Sequence, residues 1–326
     1  ASLIKNMHTI RRNKIRQDKI KQDEIKQDEI KQDEIKQDEI KQDEIKQDKT
    51  KQDAPLMNST LFDNLVIAMK DWGGPSDEKY FPLIDETIDE TKGDIMALLM
   101  HKNESFRCFV AKAVNRIVEV IDLGEAGPLI LEIFKEDTSK VVRGWAAIIA
   151  GVIRKEGLPT LDYLKDDRAS SVRWWVAKSI GNIGDTIGLG KVDNSMIFEM
   201  FAILNHLKDD EQSDVKTVVI KAVGKIGEID GLTAADKLTR KKILSTLKLD
   251  NDISIRRAVA ESAGQVGEAG IPVLEHLKLD EDDLTRFLTV KAAGKIGEKG
   301  HPVLEYLSKD DVSTIGNLAA SLLAEY

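Results

Sequence analysis

The stretch VRWWVAKSIGNIGD, Val172 to Asp185, returns as VKTVVIKAVGKIGE, Val215 to Glu228. Set on its central small residue, the pattern recurs at Asn115, Gly151, Gly181, Gly224, Gly264 and Gly294, with a frayed copy at Ala324. The intervals are 36, 30, 43, 40, 30 and 30 residues, the spacing of one helical hairpin stacked on the next. The array therefore sets the architecture, and the length prior for globular domains does not apply to its 326 residues.

Each unit resolves into two helices. The first is announced by glycine, a proline near its first turn and then leucines: GPLILEIF from Gly127, GLPTLDYL from Gly157, GIPVLEHL from Gly270 and GHPVLEYL from Gly300. An Asp-rich turn follows. Six residues after an aspartate, a basic residue opens the second helix: Asp137 and Arg143, Asp167 and Arg173, Asp210 and Lys216, Asp250 and Arg256, Asp280 and Arg286. The first copy has Arg107 without that aspartate, and the last has Asp310 followed by Gly316. Two intervals are stretched by insertions at Asp185–Ser195 and Glu228–Lys237, which are expected to be loops on one edge.

Aligning the second helices separates their faces. Phe106, Val142, Val172, Val215, Ile255 and Thr285 form one core column, and Ile117, Ile153, Ile183, Ile226, Val266 and Ile296 another. Phe109, Trp145, Trp175, Val218 and Leu288 share a third, also expected in the core. Two columns lack that chemistry: Cys108, Gly144, Trp174, Thr217, Arg257 and Phe287, then one turn on Lys112, Ile148, Lys178, Lys221, Glu261 and Lys291. These are expected at the surface. The GxIG endings are not phosphate loops, because each closes a helix instead of joining a strand to a helix N-terminus; glycine acts there as a C-cap and a close-packing residue.

Upstream the pattern fails. Residues 1–55 hold a pentad tract, IRQDK from Ile15, IKQDE five times, then IKQDK and TKQDA. A period of five advances a helix about 140° beyond a full turn, so Ile20, Ile25, Ile30 and Ile35 spiral around it and form no seam. Lys21 with Glu24 and Asp23 with Lys26 add about 0.2–0.5 kcal/mol each. The tract is expected to be a solvated polar helix exchanging with disorder. Residues 56–100 are expected to be a divergent helical cap, one helix carrying Leu61, Leu65, Met69 and Trp72 and stopping at Gly73, a second containing Ile95, Leu98 and Leu99. The repeats fill residues 101–326. The first residue is Ala, which leaves a processed start or a fragment open, and Met57 offers an alternative start.

Composition narrows the function classes. Hydrophobic residues make up 41% and the net charge is −9; residues 1–55 hold 14 Lys and Arg against 13 Asp and Glu, so the repeats carry the acidity. An acidic body opposes nucleic acid and anionic membranes as generic partners. One cysteine, Cys108, excludes an internal disulfide framework and a multi-cysteine metal site. No run of 18 apolar residues spans a membrane, and no apolar segment follows the basic start as in a secretory signal. A cytoplasmic location is expected.

The spaced Asp and Arg, the small-residue second helix and the GxIG[DE] close resemble HEAT repeats, specifically the short HEAT-like type of phycobilisome lyases, over about residues 95–326. The resemblance implies an all-α, right-handed solenoid of about six hairpins. It also implies that the five Asp and Arg or Lys pairs named above form a ladder tying neighbouring repeats, lapsing at Gly316, and that second helices line the concave side. On that side Trp174, Ile148, Lys178, Lys221, Arg257 and Phe287 are the candidate partner contacts. The function so implied is a non-catalytic scaffold or adaptor binding a protein or peptide, an acidic one among the candidates, with the solvated-face reading of the lysines set against it.

Enzymes of similar architecture are poorly supported by these residues. A HEAT-like di-iron hydroxylase needs His-Glu dipeptides, whereas His8, His101, His206, His276 and His301 are followed by Thr, Lys, Leu, Leu and Pro. A HEAT-like DNA glycosylase needs a carboxylate near its tryptophans, and Trp174-Trp175 is followed four residues on by Lys178 and Ser179. The alternative kept open is a lyase or isomerase acting on a protein-bound tetrapyrrole, which would change the pigment's visible absorption; no cysteine or histidine motif supports it. No catalytic, cofactor or metal residue is assigned.

Overall fold

The chain divides into two units, Ala1–Met57 and Asn58–Tyr326. The computed structural model describes residues 59–71, 77–91, 95–187, 193–227, 229 and 232–325, all in the second unit. The pentad tract, Trp72 and the Gly73 stop lie outside them.

Among the described residues the structure is an α-solenoid without strands. The entry helices are α1 (Ser59–Asp71), α2 (Phe81–Thr91) and α3 (Ile95–Leu99). Helical hairpins follow, each adding a first and a second helix. First helices are α5 (Ala126–Lys135), α7 (Leu158–Leu164), α9 (Asn194–Leu207), α11 (Ala234–Leu247), α13 (Ile271–Leu277) and α15 (His301–Leu307). Second helices are α4 (Glu104–Val118), α6 (Lys140–Ile153), α8 (Ser170–Ile187), α10 (Ser213–Gly227), α12 (Ile253–Gln265), α14 (Asp283–Ile296) and α16 (Ser313–Ala324). Consecutive second helices pack on one another throughout, and α1 packs on α4. Helix α2, with Phe81, Ile84 and Ile88 at helical spacing, is a cap element beyond the two helices expected from sequence.

Local chemistry explains the boundaries. Pro159, Pro272 and Pro302 sit in the first turns of α7, α13 and α15, where a missing N–H costs nothing. Asn103, Ser139, Asp252 and Asp282 cap second helices through side-chain oxygens. Helix α11 opens with a reciprocal capping box between Thr233 and Asp236.

The core column from Phe106 to Thr285 is fully buried. In the second column Ile117, Ile183, Ile226 and Val266 are buried, while Ile153 and Ile296 are partly exposed. The third corrects the sequence expectation: Phe109 and Val218 are buried, but Trp145, Trp175 and Leu288 are only half-buried. An indole is too large for the seam between stacked helices that valine fills, so its edge emerges. At the central position backbones approach closely, and a Cβ on Gly264 would lie 2.9 Å from the Ala292 Cα.

The insertions also correct an expectation. Much of the added length is helix: α9 and α11 have 14 residues each, where α7, α13 and α15 have 7. Residues 188–192, 228, 230 and 231 of the two insertions lie outside the described residues.

The aspartate and the arginine six residues later do not join side chain to side chain. Each arginine donates to the backbone carbonyl of its own aspartate and forks onto the carboxylate of the next repeat's aspartate. Arg143 donates through one terminal nitrogen to Asp137 O at 2.7 Å, and through Nε and the other to Asp167 at 2.5 and 3.0 Å. The rungs run Arg107–Asp137, Arg143–Asp167, Arg173–Asp210, Lys216–Asp250, Arg256–Asp280 and Arg286–Asp310, at 2.5–2.7 Å. Each carboxylate also accepts a backbone N–H two residues on, from Ser139 at 2.7 Å to Val312 at 3.0 Å, which fixes the turn into the second helix. One spacing thus serves turn, helix start and repeat junction. Arg107 supplies the first rung by using His101 O, and Gly316 has no side chain to carry the ladder beyond Asp310. The Arg286 guanidinium holds the Asp310 carboxyl below the usual carboxylate range.

One residue is conformationally strained. Two second helices end on a glycine with positive φ, Gly267 at 66° and Gly297 at 79°; Arg154 occupies that position after α6 at φ 59°. Its side chain is exposed and makes no ion pair among the described residues. Arg154→Gly is expected to stabilise the protein by about 1 kcal/mol, backbone relief of about 1–2 kcal/mol less the extra unfolded-state entropy of glycine. A urea melt would show a higher midpoint.

Candidate functional site

The two columns expected at the surface lie one turn apart on the second helices. Trp174 and Lys178 are on α8, Lys221 on α10, Ile148 on α6, Arg257 on α12 and Phe287 on α14. Lys221 is exposed; Trp174, Ile148, Lys178, Arg257 and Phe287 are half-buried. The face is thus less open than the alignment suggested.

Three of the six converge. Between α8 and α10 lies a cleft of about 140 Å³ lined by Trp174, Lys178, Gly181, Val218, Lys221 and Lys225, with Ala177 and Ala222 at its floor. Gly181 and Ala222 bring α8 and α10 close together at its base, where a Cβ on Gly181 would meet Ala222 at 3.2 Å and the Lys225 Cδ at 3.6 Å. Trp174 forms one wall and is held edge-on against Trp175, centroids 4.8 Å apart and planes at 89°. That contact restrains the indole before any partner arrives. Lys178 and Lys221 make no ion pair among the described residues, whereas Lys225 pairs with Asp185. The cleft therefore offers an aromatic wall, an apolar floor and two uncompensated ammonium groups.

The remaining candidates are placed elsewhere. Arg257 forks onto Asp282 at 2.9 and 2.7 Å, across the α12–α14 junction, and Asp282 simultaneously caps α14 through Thr285 N at 2.8 Å. Arg257 holds the Asp282 carboxyl well below its ordinary range, so this cation is already committed. Ile148 lies on α6, next to α8, whereas Phe287 lies on α14, beyond α12, and does not flank the cleft. Lys112, in the same column, pairs with Asp77 at 2.7 Å. Lys225 was missed by the column reading; its signal was the i,i+4 step from Lys221.

Other recesses lie on the repeat edges. One, of about 930 Å³, is walled by Asp162, Asp166, Asp209 and ladder residues, with His206 Nε2 2.7 Å from Asp166 Oδ1 across the α7–α9 junction. Among the described residues no three His, Cys, Asp or Glu side chains are grouped as metal ligands. No described helix is long and apolar enough to cross a membrane.

No protein-family model matches the chain, and no curated protein matches it in sequence. Solved structures do resemble it. An engineered protein covers 80% of this chain and 72% of its own at 17% identity and TM-score 0.46. A designed armadillo repeat protein in complex with the peptide (KR)4 covers 70% and 95% at 16% identity and TM-score 0.43. The complex of CpcE and CpcF of phycocyanin lyase from Nostoc sp. PCC7120 covers 71% and 94% at 17% identity and TM-score 0.39. These likenesses concern helical repeat architecture and do not extend to function.

Proposed function

We propose that this protein is a non-catalytic scaffold that binds a protein or peptide segment along its second-helix face, with the α8–α10 cleft as the anchor site. The observation that carries the reading is the cleft itself: a half-buried tryptophan, against Trp175, beside two lysines that make no ion pair among the described residues. Aromatic side chains in restrained, partly desolvated positions are the residue class that dominates binding energy at protein interfaces. Lys178 and Lys221 favour a partner residue with a carboxylate, because opposite charge across an interface is complementary.

The test is affinity capture from the native lysate by the whole chain, with bound proteins identified by mass spectrometry and their affinity then measured directly. Trp174→Ala is expected to weaken binding of the captured partner about 30-fold, the effect of a hot-spot loss near 2 kcal/mol. Equal affinity for Trp174→Ala and wild type would remove the cleft from the interface.

A further inference from the structure

The lengthened first helices α9 and α11 carry something the shorter ones lack. In the last turn of each first helix stands a buried residue: Phe134, Leu164, Leu207, Leu247, Leu277 or Leu307. Nine residues before it stand Glu125, Lys155, Phe198, Leu238, Glu268 and Glu298, all exposed. Four repeats put a charge there, and the two lengthened repeats put Phe198, 61% exposed, and Leu238, 67% exposed. Helices α9 and α11 pack against each other, with Met200, Leu204 and Leu207 matching Arg240, Leu244 and Leu247 in burial. Phe198 and Leu238 therefore hold the same place on the outer surfaces of two adjacent helices. Isolated exposed leucines are ordinary; two large apolar groups at matched positions, confined to the inserted turns, are not.

The charge around them is specific. Lys237, Lys241 and Lys242 on α11 are exposed and make no ion pair among the described residues. Leu238, Lys242 and Thr246 step along one stripe of the helix, which reaches Leu249, 63% exposed just past its end. Leu238 and Leu249 are eleven residues apart, about 16 Å at helical rise. An apolar residue at each end with free lysines between them complements a helix that presents apolar side chains at that spacing and carboxylates beside them. A bilayer with anionic lipids would share the lysines' attraction, but residues 56–326 carry 34 Lys and Arg against 44 Asp and Glu, which opposes a flat anionic surface.

We propose that the outer face of α9 and α11 is a second docking surface, separate from the Trp174 cleft, for an acidic amphipathic helix of a partner protein. Phe198, Leu238 and Leu249 take its apolar side chains, and Lys237, Lys241 and Lys242 its carboxylates.

The probe is a fluorescein-labelled 18-residue peptide of leucine and glutamate in an amphipathic helical pattern, titrated with the full chain by anisotropy. Saturable binding is expected, weakened at least about tenfold by Phe198→Ser with Leu238→Ser and by Lys241→Glu with Lys242→Glu, and unchanged by Trp174→Ala. Phe198, Leu238, Lys241 and Lys242 are exposed, so melting temperatures of the two double variants should stay at the wild-type value. No binding up to about 1 mM, equal binding by the double variants, or equal binding of a peptide with lysine for glutamate overturns the proposal. Two further outcomes also overturn it: cosedimentation with phosphatidylcholine–phosphatidylserine vesicles in place of peptide binding, and self-association abolished by Phe198→Ser with Leu238→Ser, which would make a second copy the occupant.

Discussion

Gly270→Ala is expected to destabilise the C-terminal repeats by about 3–5 kcal/mol, at the upper end of single-residue effects. Gly270 has an ordinary backbone conformation, φ −81° and ψ −18°, so alanine pays no torsional cost. The cost is space. A Cβ there would lie 2.0 Å from the carbonyl oxygen of Ala263, in the second helix that α13 folds back against. That atom is backbone within a helix and cannot rotate away, so α13 would have to separate from α12. Gly157 and Gly300 meet the carbonyls of Ala150 and Ala293 at 2.0 and 2.1 Å in the same way. Because solenoid stability sums the units and their junctions, the loss should be local. Hydrogen exchange would show α12 to α16 opening before α4 to α8, and a urea melt would develop an early transition. An unchanged melt would mean the hairpin closes without this contact.

Arg143→Ala is expected to cost about 3–5 kcal/mol, because it strands the carboxylate of Asp167. The two side chains are 7% and 5% exposed, the most enclosed rung of the ladder. Removing the guanidinium also deprives Asp137 O and Thr138 O of their donor at 2.7 and 3.1 Å. The comparison with Arg143→Lys is informative, since Lys216 already makes a rung to Asp250 through one nitrogen at 2.6 Å. The lysine variant should recover part of the loss but not the fork or the carbonyl contacts. Chemical denaturation of the three proteins measures this directly, and a lysine variant no better than alanine would argue that the carbonyl bonds, not the ion pair, hold the junction.

The hairpins were legible because several physical requirements repeat in register. Pro159, Pro272 and Pro302 mark first turns, the aspartates mark the entries to second helices, and columns such as Val142, Val172 and Val215 mark the seam. The direction of the ladder was not legible: sequence distance pairs Asp167 with Arg173, whereas the fork from Arg173 reaches Asp210 in the next repeat because stacking brings it closer. The insertions are expected as loops because added length in a repeat array usually falls on a loop edge, but burial of Met196, Ile197 and Met200 draws the chain into extra helical turns. Within the candidate site, Trp174 was legible as a bulky aromatic in a column without shared chemistry, and Lys178 and Lys221 as members of the mostly basic column one turn on. The commitment of Arg257 to Asp282 was not, since it depends on two helices meeting end to side.

The claim that a partner lies along the second helices is tested most directly by hydrogen exchange on the complex with the captured protein. The account predicts protection concentrated on α8 and α10 around Trp174 to Gly181 and Val218 to Lys225, lost in Trp174→Ala. Protection confined to other elements, with affinity unchanged in that variant, would contradict it.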